Sequence, residues 1–216
     1  MAHFGGYRIL MDERWTLDDL YVFPRTYEQV YFALEAITPS ESNSDEERIS
    51  RAFQAFPWRG GYSAVNFYNQ LKYATPPRYR PQIVAIQYAS PGYMELLLFL
   101  EQAAKVAGIV AGVAGSIGAC AAVYHKIVAD LTRRQLLRIE VEKEKIALAD
   151  EELKLVIKYS QEMAEILQLD SAFSIHLRTN KPLVSLKILM SVFRRVRKLA
   201  DYQLEGKAQL PKIPRP

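Results

Sequence analysis

At 216 residues, 50% hydrophobic and 24% charged, the chain has the length for one domain or two small ones and the composition of an ordinary folded protein. Its one cysteine, Cys120, excludes an intrachain disulfide and fits a reducing compartment. The net charge of +4 is unevenly placed: residues 1–91 hold 9 Lys+Arg against 10 Asp+Glu, residues 126–177 hold 8 against 10, and from Arg178 onward there are 10 against 2. An anionic partner is therefore to be sought near the C-terminal segment. The opening MAHFGGYRILMDERW has no basic leader ahead of an apolar run, so no cleaved secretory signal is expected.

Tyr7 to Met11 has the aromatic and β-branched content of a short strand. Thr16 with Asp18 and Asp19 marks a helix start, because a capping hydroxyl and early acids suit the positive helix end. Pro24 is expected to open a second helical stretch, with Tyr27, Val30, Tyr31 and Leu34 at helical spacing. Residues 38–47, TPSESNSDEE, read as a solvated loop. Arg48 to Phe56 reads as a short amphipathic helix stopped by Pro57. The next stretch, WRGGYSAVNFYNQLKY, interleaves rings with amides, Arg59 and Lys72. Gln82 to Tyr88 alternates apolar and polar residues as a strand does and is expected to pair with Tyr7–Met11. Residues 1–91 then form a small α+β domain.

Ser90-Pro91-Gly92 ends that strand. Tyr93 to Leu100, YMELLLFL, is expected to start a helix that runs through Glu101, Gln102 and Lys105 into VAGIVAGVAGSIGACAAVY, Val106 to Tyr124. Those 19 residues hold no charge, amide or proline. Gly108, Gly112, Gly115 and Gly118 recur along roughly one side of a helix, a groove where another backbone can approach closely. About 20 apolar residues also suffice to cross a bilayer. Residues 92–125 are thus a transmembrane segment or a tightly buried assembly helix. As a span, the segment is too weakly hydrophobic to stand alone in lipid, which favours an oligomer with Glu101, Gln102 and Lys105 at a polar mouth. Lys126, Arg133, Arg134 and Arg138 then put the C-terminal side in the cytoplasm. An N-terminal domain without an export signal conflicts with that orientation unless the segment is re-entrant or inserts on activation.

Residues 126–205 are expected to be helical and cytoplasmic. No glycine or proline occurs from His125 to Leu169, and Leu136, Ile139, Ile146, Leu153, Val156, Ile157 and Met163 form an apolar stripe. Pro182 opens a last helix carrying the basic turn Arg194, Arg195, Arg197 and Lys198, with Lys187 about two turns earlier. Residues 206–216 read as a disordered basic tail. The overall fold class is mainly α with a small α+β N-terminal domain.

Catalytic patterns are missing. Gly60-Gly61 is a lone pair outside any phosphate-binding motif, and His3, His125 and His176 are scattered with no metal-ligand spacing. No enzyme and no cofactor is expected. Two binding candidates remain. The basic turn with Lys187 suits phosphates of nucleic acid or lipid headgroups, against a plain solvated helix face. The aromatic-amide stretch, with Arg59, Tyr62, Tyr68 and Lys72, suits base stacking and phosphate contact, against a half-buried ordinary helix.

An opening YRILMDERWTLDDLY, then QYASPGYMELLL, a Gly/Ala-rich span and a charged helical C-terminal region follow one another here. That order resembles small membrane effectors of bacterial anti-phage systems, in particular Hailong-type effectors encoded beside a nucleotidyltransferase. The resemblance implies a homo-oligomeric ion channel of the bacterial inner membrane, a tetramer being one candidate, that disrupts membrane potential. It also implies control by a DNA oligomer that the nucleotidyltransferase makes. The alternative is a soluble oligomeric helical adaptor that binds nucleic acid or a protein partner.

Overall fold

The computed structural model describes residues 4–37, 43–54, 61–136, 149–169 and 172–211, without the side chains of residues 43–46, 61–64, 173 and 174. The chain is mainly helical (70%), with one four-stranded antiparallel sheet. It divides into two compact units: Met1–Glu35, Thr75–Ser116 and Arg195–Pro216 form the first, and Ala36–Ala74 and Ile117–Arg194 the second.

The first unit is built on the sheet. Strand β1 (Phe4–Met11) pairs with β3 (Gly92–Phe99) from Phe4 opposite Phe99 to Met11 opposite Gly92. Strand β2 (Gln82–Gln87) lies beyond β3, and β4 (Ala208–Gln209) lies beyond β1. Tyr7, Ile9 and Met11 of β1 are buried with Met94, Leu96 and Leu98 of β3. Their neighbours Arg8 and Glu95, on the other face, form an ion pair at 3.1 Å. Helix α1 (Leu17–Ile37) buries Phe23, Tyr27, Val30 and Tyr31; α4 (Leu100–Gly115) touches β1 and β3 and buries Ala103, Val106, Val110 and Val113.

A polar hub ties both ends of this unit together. The Asp19 N–H donates to Thr16 Oγ1 at 3.1 Å, and Asp19 Oδ2 accepts from Thr16 N and Oγ1, both at 2.9 Å. This reciprocal cap starts α1. The other carboxylate oxygen accepts from the Tyr202 hydroxyl at 3.0 Å, and Lys207 Nζ reaches Oδ2 at 3.2 Å. Trp15 stacks on Tyr202 with centroids 5.7 Å apart, and its Nε1–H donates to the Lys207 carbonyl at 3.1 Å.

The second unit is helical: α2 (Asn43–Gln54), α3 (Gly61–Ala74), α5 (Ile117–Arg133), α6 (Asp150–Ile166), α7 (Phe173–Thr179) and the start of α8 (Pro182–Leu204). Phe53 of α2 meets Phe67 of α3 edge-on at 5.1 Å. The Tyr159 hydroxyl of α6 donates to Asp130 of α5 at 2.9 Å, and the Tyr124 ring lies 5.1 Å from Phe193.

Several expectations are corrected. Residues 93–99 are strand, not the start of a helix: as the middle strand between β1 and β2 this run buries every second residue, and sheet pairing overrides the helix preference of its leucines. The strands expected to pair, β1 and β2, are separated by β3. The apolar stretch is not one helix but α4 and α5, broken at Ser116, whose hydroxyl donates back to the Gly112 carbonyl at 2.8 Å between Gly115 and Gly118. Pro24 sits inside α1, because Phe23 and Tyr27 continue one buried face across it and outweigh the lost hydrogen bond. Helix α2 begins at Asn43, inside the expected loop. The C-terminal tail begins as β4 paired with β1, and the Tyr7 hydroxyl holds the Pro211 carbonyl at 3.0 Å. Ile139 and Ile146 of the expected stripe lie outside the described residues.

Burial pushes the Asp19 carboxyl up, but hydrogen bonds from Thr16, Tyr202 and Lys207 outweigh it and bring it down to about 2 from 3.8. A depressed carboxylate stabilises the fold fully above its unfolded value and loses that contribution as pH falls through the folded one. Asp19→Ala should therefore cost about 2–3 kcal/mol in urea unfolding at neutral pH, since it leaves the Tyr202 hydroxyl and the Thr16 donors without their acceptor. It should also remove the loss of stability that the wild type undergoes between pH 3.8 and about 2. Parallel acid curves for the two proteins would refute this role.

Candidate nucleic-acid interface

The second unit has a surface hollow of about 260 Å³ between α2 and α3, lined by Arg48, Arg51, Ala52, Gln70, Tyr73 and Ala74. The two helices reach it in the same way. Arg48, Arg51 and Ala52 are spaced i, i+3, i+4 on α2, and Gln70, Tyr73 and Ala74 repeat that spacing on α3, so each set shares one helix face. Ala52 and Ala74 are buried and small, which leaves room above them, while both arginines, Gln70 and Tyr73 are exposed. Helix α3 buries Phe67, Tyr68 and Leu71, and that fixes Asn66, Asn69, Gln70 and Tyr73 toward solvent. Tyr73 is 67% exposed, enough to offer a ring face. Among the described residues Arg51 pairs within its own helix: Nε donates to the Glu47 carbonyl at 3.4 Å and NH2 lies 3.9 Å from the Glu47 carboxylate. An exposed pair of that length is worth little and yields easily to a phosphate.

The residues singled out in the sequence fall in different places. Tyr68 is core: its ring packs 5.3 Å from Phe67 and its hydroxyl donates to Ser191 Oγ at 3.4 Å, which leaves no face for a base. Lys72 is half-buried on α3; Tyr62 lies in the first turn of α3, and Arg59 lies outside the described residues. Along α8, Lys187 is half-buried and Arg194 donates to the Tyr124 hydroxyl at 3.0 Å. Arg195 donates to Gln29 at 2.6 Å, so it is a structural group of the first unit. Arg197 is half-buried, and the exposed Lys198 stands 5.4 Å from the Tyr202 ring centroid.

Of the expected polar mouth, Glu101 and Lys105 are exposed. Gln102 is buried and donates to the Tyr31 carbonyl at 3.3 Å, inside the first unit rather than at an opening. Gly108 and Gly112 are half-buried; Gly115 and Gly118 are exposed. A methyl group added at Gly108, Gly115 or Gly118 would meet no described atom within 4 Å beyond its chain neighbours and own helix backbone.

Arg48, Arg51, Gln70 and Tyr73 were not picked out in the sequence, although Gln70 and Tyr73 lie within the aromatic-amide stretch. The i, i+3 spacing of Arg48 and Arg51 was the available signal. Among the described residues no group of three or more His, Cys, Asp or Glu is placed to hold a metal ion. His176 is neutral-favouring, because burial pushes its imidazole below the usual value, and among the described residues neither ring nitrogen has a hydrogen-bond partner.

Comparison of the chain with known families, with curated proteins and with solved structures yields no match. Tyr68→Ala should lower Tm by the equivalent of about 3–5 kcal/mol, as for other large core truncations. Tyr68→Phe, which keeps the buried ring, should leave Tm near wild type, and a Tm loss as large as that of the alanine variant would refute the core role of the ring.

Proposed function

We propose that the protein is a non-catalytic binding protein whose α2–α3 face takes single-stranded nucleic acid. The observation that supports this reading is the hollow that brings Arg48 and Arg51 beside Gln70 and the exposed ring of Tyr73. Guanidinium groups bind phosphate in bidentate fashion, an exposed ring stacks on any base, and side-chain amides serve base edges. In the terms of the Hailong-type resemblance, a DNA oligomer would bind here.

With a fluorescent single-stranded oligonucleotide, Arg48→Ala together with Arg51→Ala should weaken binding at least tenfold. It should also reduce the slope of log K against log salt by about 1.4, from about 0.7 per phosphate contact. Tyr73→Ala should cost about 1–3 kcal/mol, the usual worth of one stacked base, with Tyr73→Phe near wild type. Unchanged affinity in the double arginine variant would sink the reading.

A second reading is an oligomeric membrane effector, controlled by that ligand, whose apolar segment forms a gated pore in the bacterial inner membrane. One observation favours it: no single described helix is long and apolar enough to cross a membrane, but α4 and α5, bent at Ser116, together meet length and composition for a broken span or re-entrant loop. The open space beside Gly118 provides a clean test. A Cβ at Gly118 has no described atom within 4 Å beyond its chain neighbours and own helix backbone, and Gly118→Leu removes a helical glycine, a gain of about 1 kcal/mol in propensity. Wild-type protein expressed in bacteria and activated should shift a potential-sensitive dye. Gly118→Leu should abolish the shift and lower the oligomer mass without lowering Tm. An unchanged potential with wild type argues for the soluble adaptor, and wild-type mass in the variant removes the glycine groove.

A further inference from the structure

Strand β2 is an edge strand: β3 occupies one side, and no described residue is paired to the other. Edge strands in soluble proteins are usually protected by charge, proline, a bulge or a covering segment. Gln82–Gln87 contains neither charge nor proline, and Ile83, Val84 and Ile86 are 51%, 60% and 47% exposed. Beneath them a cavity of about 200 Å³ reaches the sheet edge, lined by Ile9, Phe23, Tyr27, Ile83, Met94 and Leu96 among others.

The strand also has an internal symmetry. It runs Gln-Ile-Val-Ala-Ile-Gln, and backwards it differs only in the exchange of Val84 and Ala85. A palindrome of even length ordinarily fails to pair with itself across a two-fold axis normal to the sheet, because its matched residues point to opposite faces. Here a register shift removes that obstacle. Ile83 stands opposite Leu96, Ala85 opposite Glu95 and Ile86 opposite Met94, so Val84 is an inserted residue. Leu96 and Met94 share the buried face of β3, which puts Ile83 and Ile86 on one face although they are three apart. Gln82 and Gln87, opposite Leu97 and Tyr93, share the other.

We propose that β2 is a self-association strand: a second copy of the chain adds its own β2 antiparallel, Gln82 opposite Gln87 and Ile83 opposite Ile86, joining the two sheets into one. The two-fold axis passes between Val84 and Ala85. Isoleucines from both copies then meet on the face that carries the cavity, and the outer amides and carbonyls of both edges find partners. An isologous contact requires a surface complementary to itself, and a neutral palindromic strand is one; that makes a second copy the fitting partner.

The test uses the full chain with Cys120→Ala, Gln82→Cys and Gln87→Cys, treated with a short bis-thiol cross-linker, in detergent where the protein sediments with membrane. Covalent dimers joined between positions 82 and 87 are expected on peptide mapping. Either new cysteine alone lies roughly 17 Å along the strand from its own copy, at about 3.4 Å per residue, and should give no dimer. Ile86→Lys in the double-cysteine background should cut the dimer yield at least tenfold. No cross-link in the double-cysteine chain, equal cross-linking by the single variants, or an undiminished yield with Ile86→Lys overturns the pairing. A chain that stays monomeric also overturns it and leaves the edge to a strand of a different protein.

Discussion

The first unit depends on keeping one carboxylate ionised where water has little access. Asp19 is 8% exposed, and an isolated charge there would cost several kcal/mol. It is held because donors converge from two distant parts of the chain: Thr16 from the start of α1, Tyr202 and Lys207 from the end of α8 and beyond. Neutralising the charge would weaken those hydrogen bonds and turn one of the two oxygens into a donor facing other donors. The hub therefore closes the unit around the sheet. Once Lys207 is fixed, Ala208 and Gln209 follow directly into pairing with Met11 and Leu10. The short strand β4 is a consequence of electrostatics as much as of strand propensity, since a two-residue ladder has little stability by itself.

What the sequence made legible follows from how local each signal is. The Thr16/Asp19 cap was readable because both partners lie within one turn. The break at Ser116 and the pairing of β4 were not, since one depends on a side chain bonding back within a glycine-rich helix and the other on a partner strand about 200 residues away. Tyr93–Leu100 misled for a related reason: a run rich in leucine suits a helix, and only its place between β1 and β2 makes it a strand. The candidate interface was half legible. The aromatic-amide stretch reads as one surface in the sequence, whereas Phe67, on which Phe53 of α2 packs, and Tyr68 are buried and Tyr73 is exposed. The basic turn shows the same limit: at 3.6 residues per turn, four cations in five positions cannot all face one side, and Arg195 is taken up by Gln29.

Helix α4 has two sides of different character. Ala103, Val106, Ala107, Val110 and Val113 are buried, each adding its share of apolar burial at about 25 cal/mol per Å². Gly108 and Gly115 face open space. Glycine in a helix interior costs about 1 kcal/mol relative to alanine, and among the described residues no close packing offsets that cost at either position. The small residues are thus unexplained by the fold of a single copy, which is the physical basis for weighing an intermolecular role for this helix.

The sheet poses the same problem in another form. Its charges sit on the two inner strands, as Arg8 and Glu95 on the open face, where they serve solubility. The strand that needs protection, β2, has none. Protection of the far edge is already present, because β4 occupies β1 at Leu10 and Met11. An exposed, uncharged edge with two isoleucines turned to the same face is a poor arrangement for a chain that remains alone in water. The inserted residue at Val84 points the same way. Its usual effect at an edge is to twist pairing groups away and discourage a partner, yet here it brings Ile83 and Ile86 into phase and so restores the symmetry that a second copy requires.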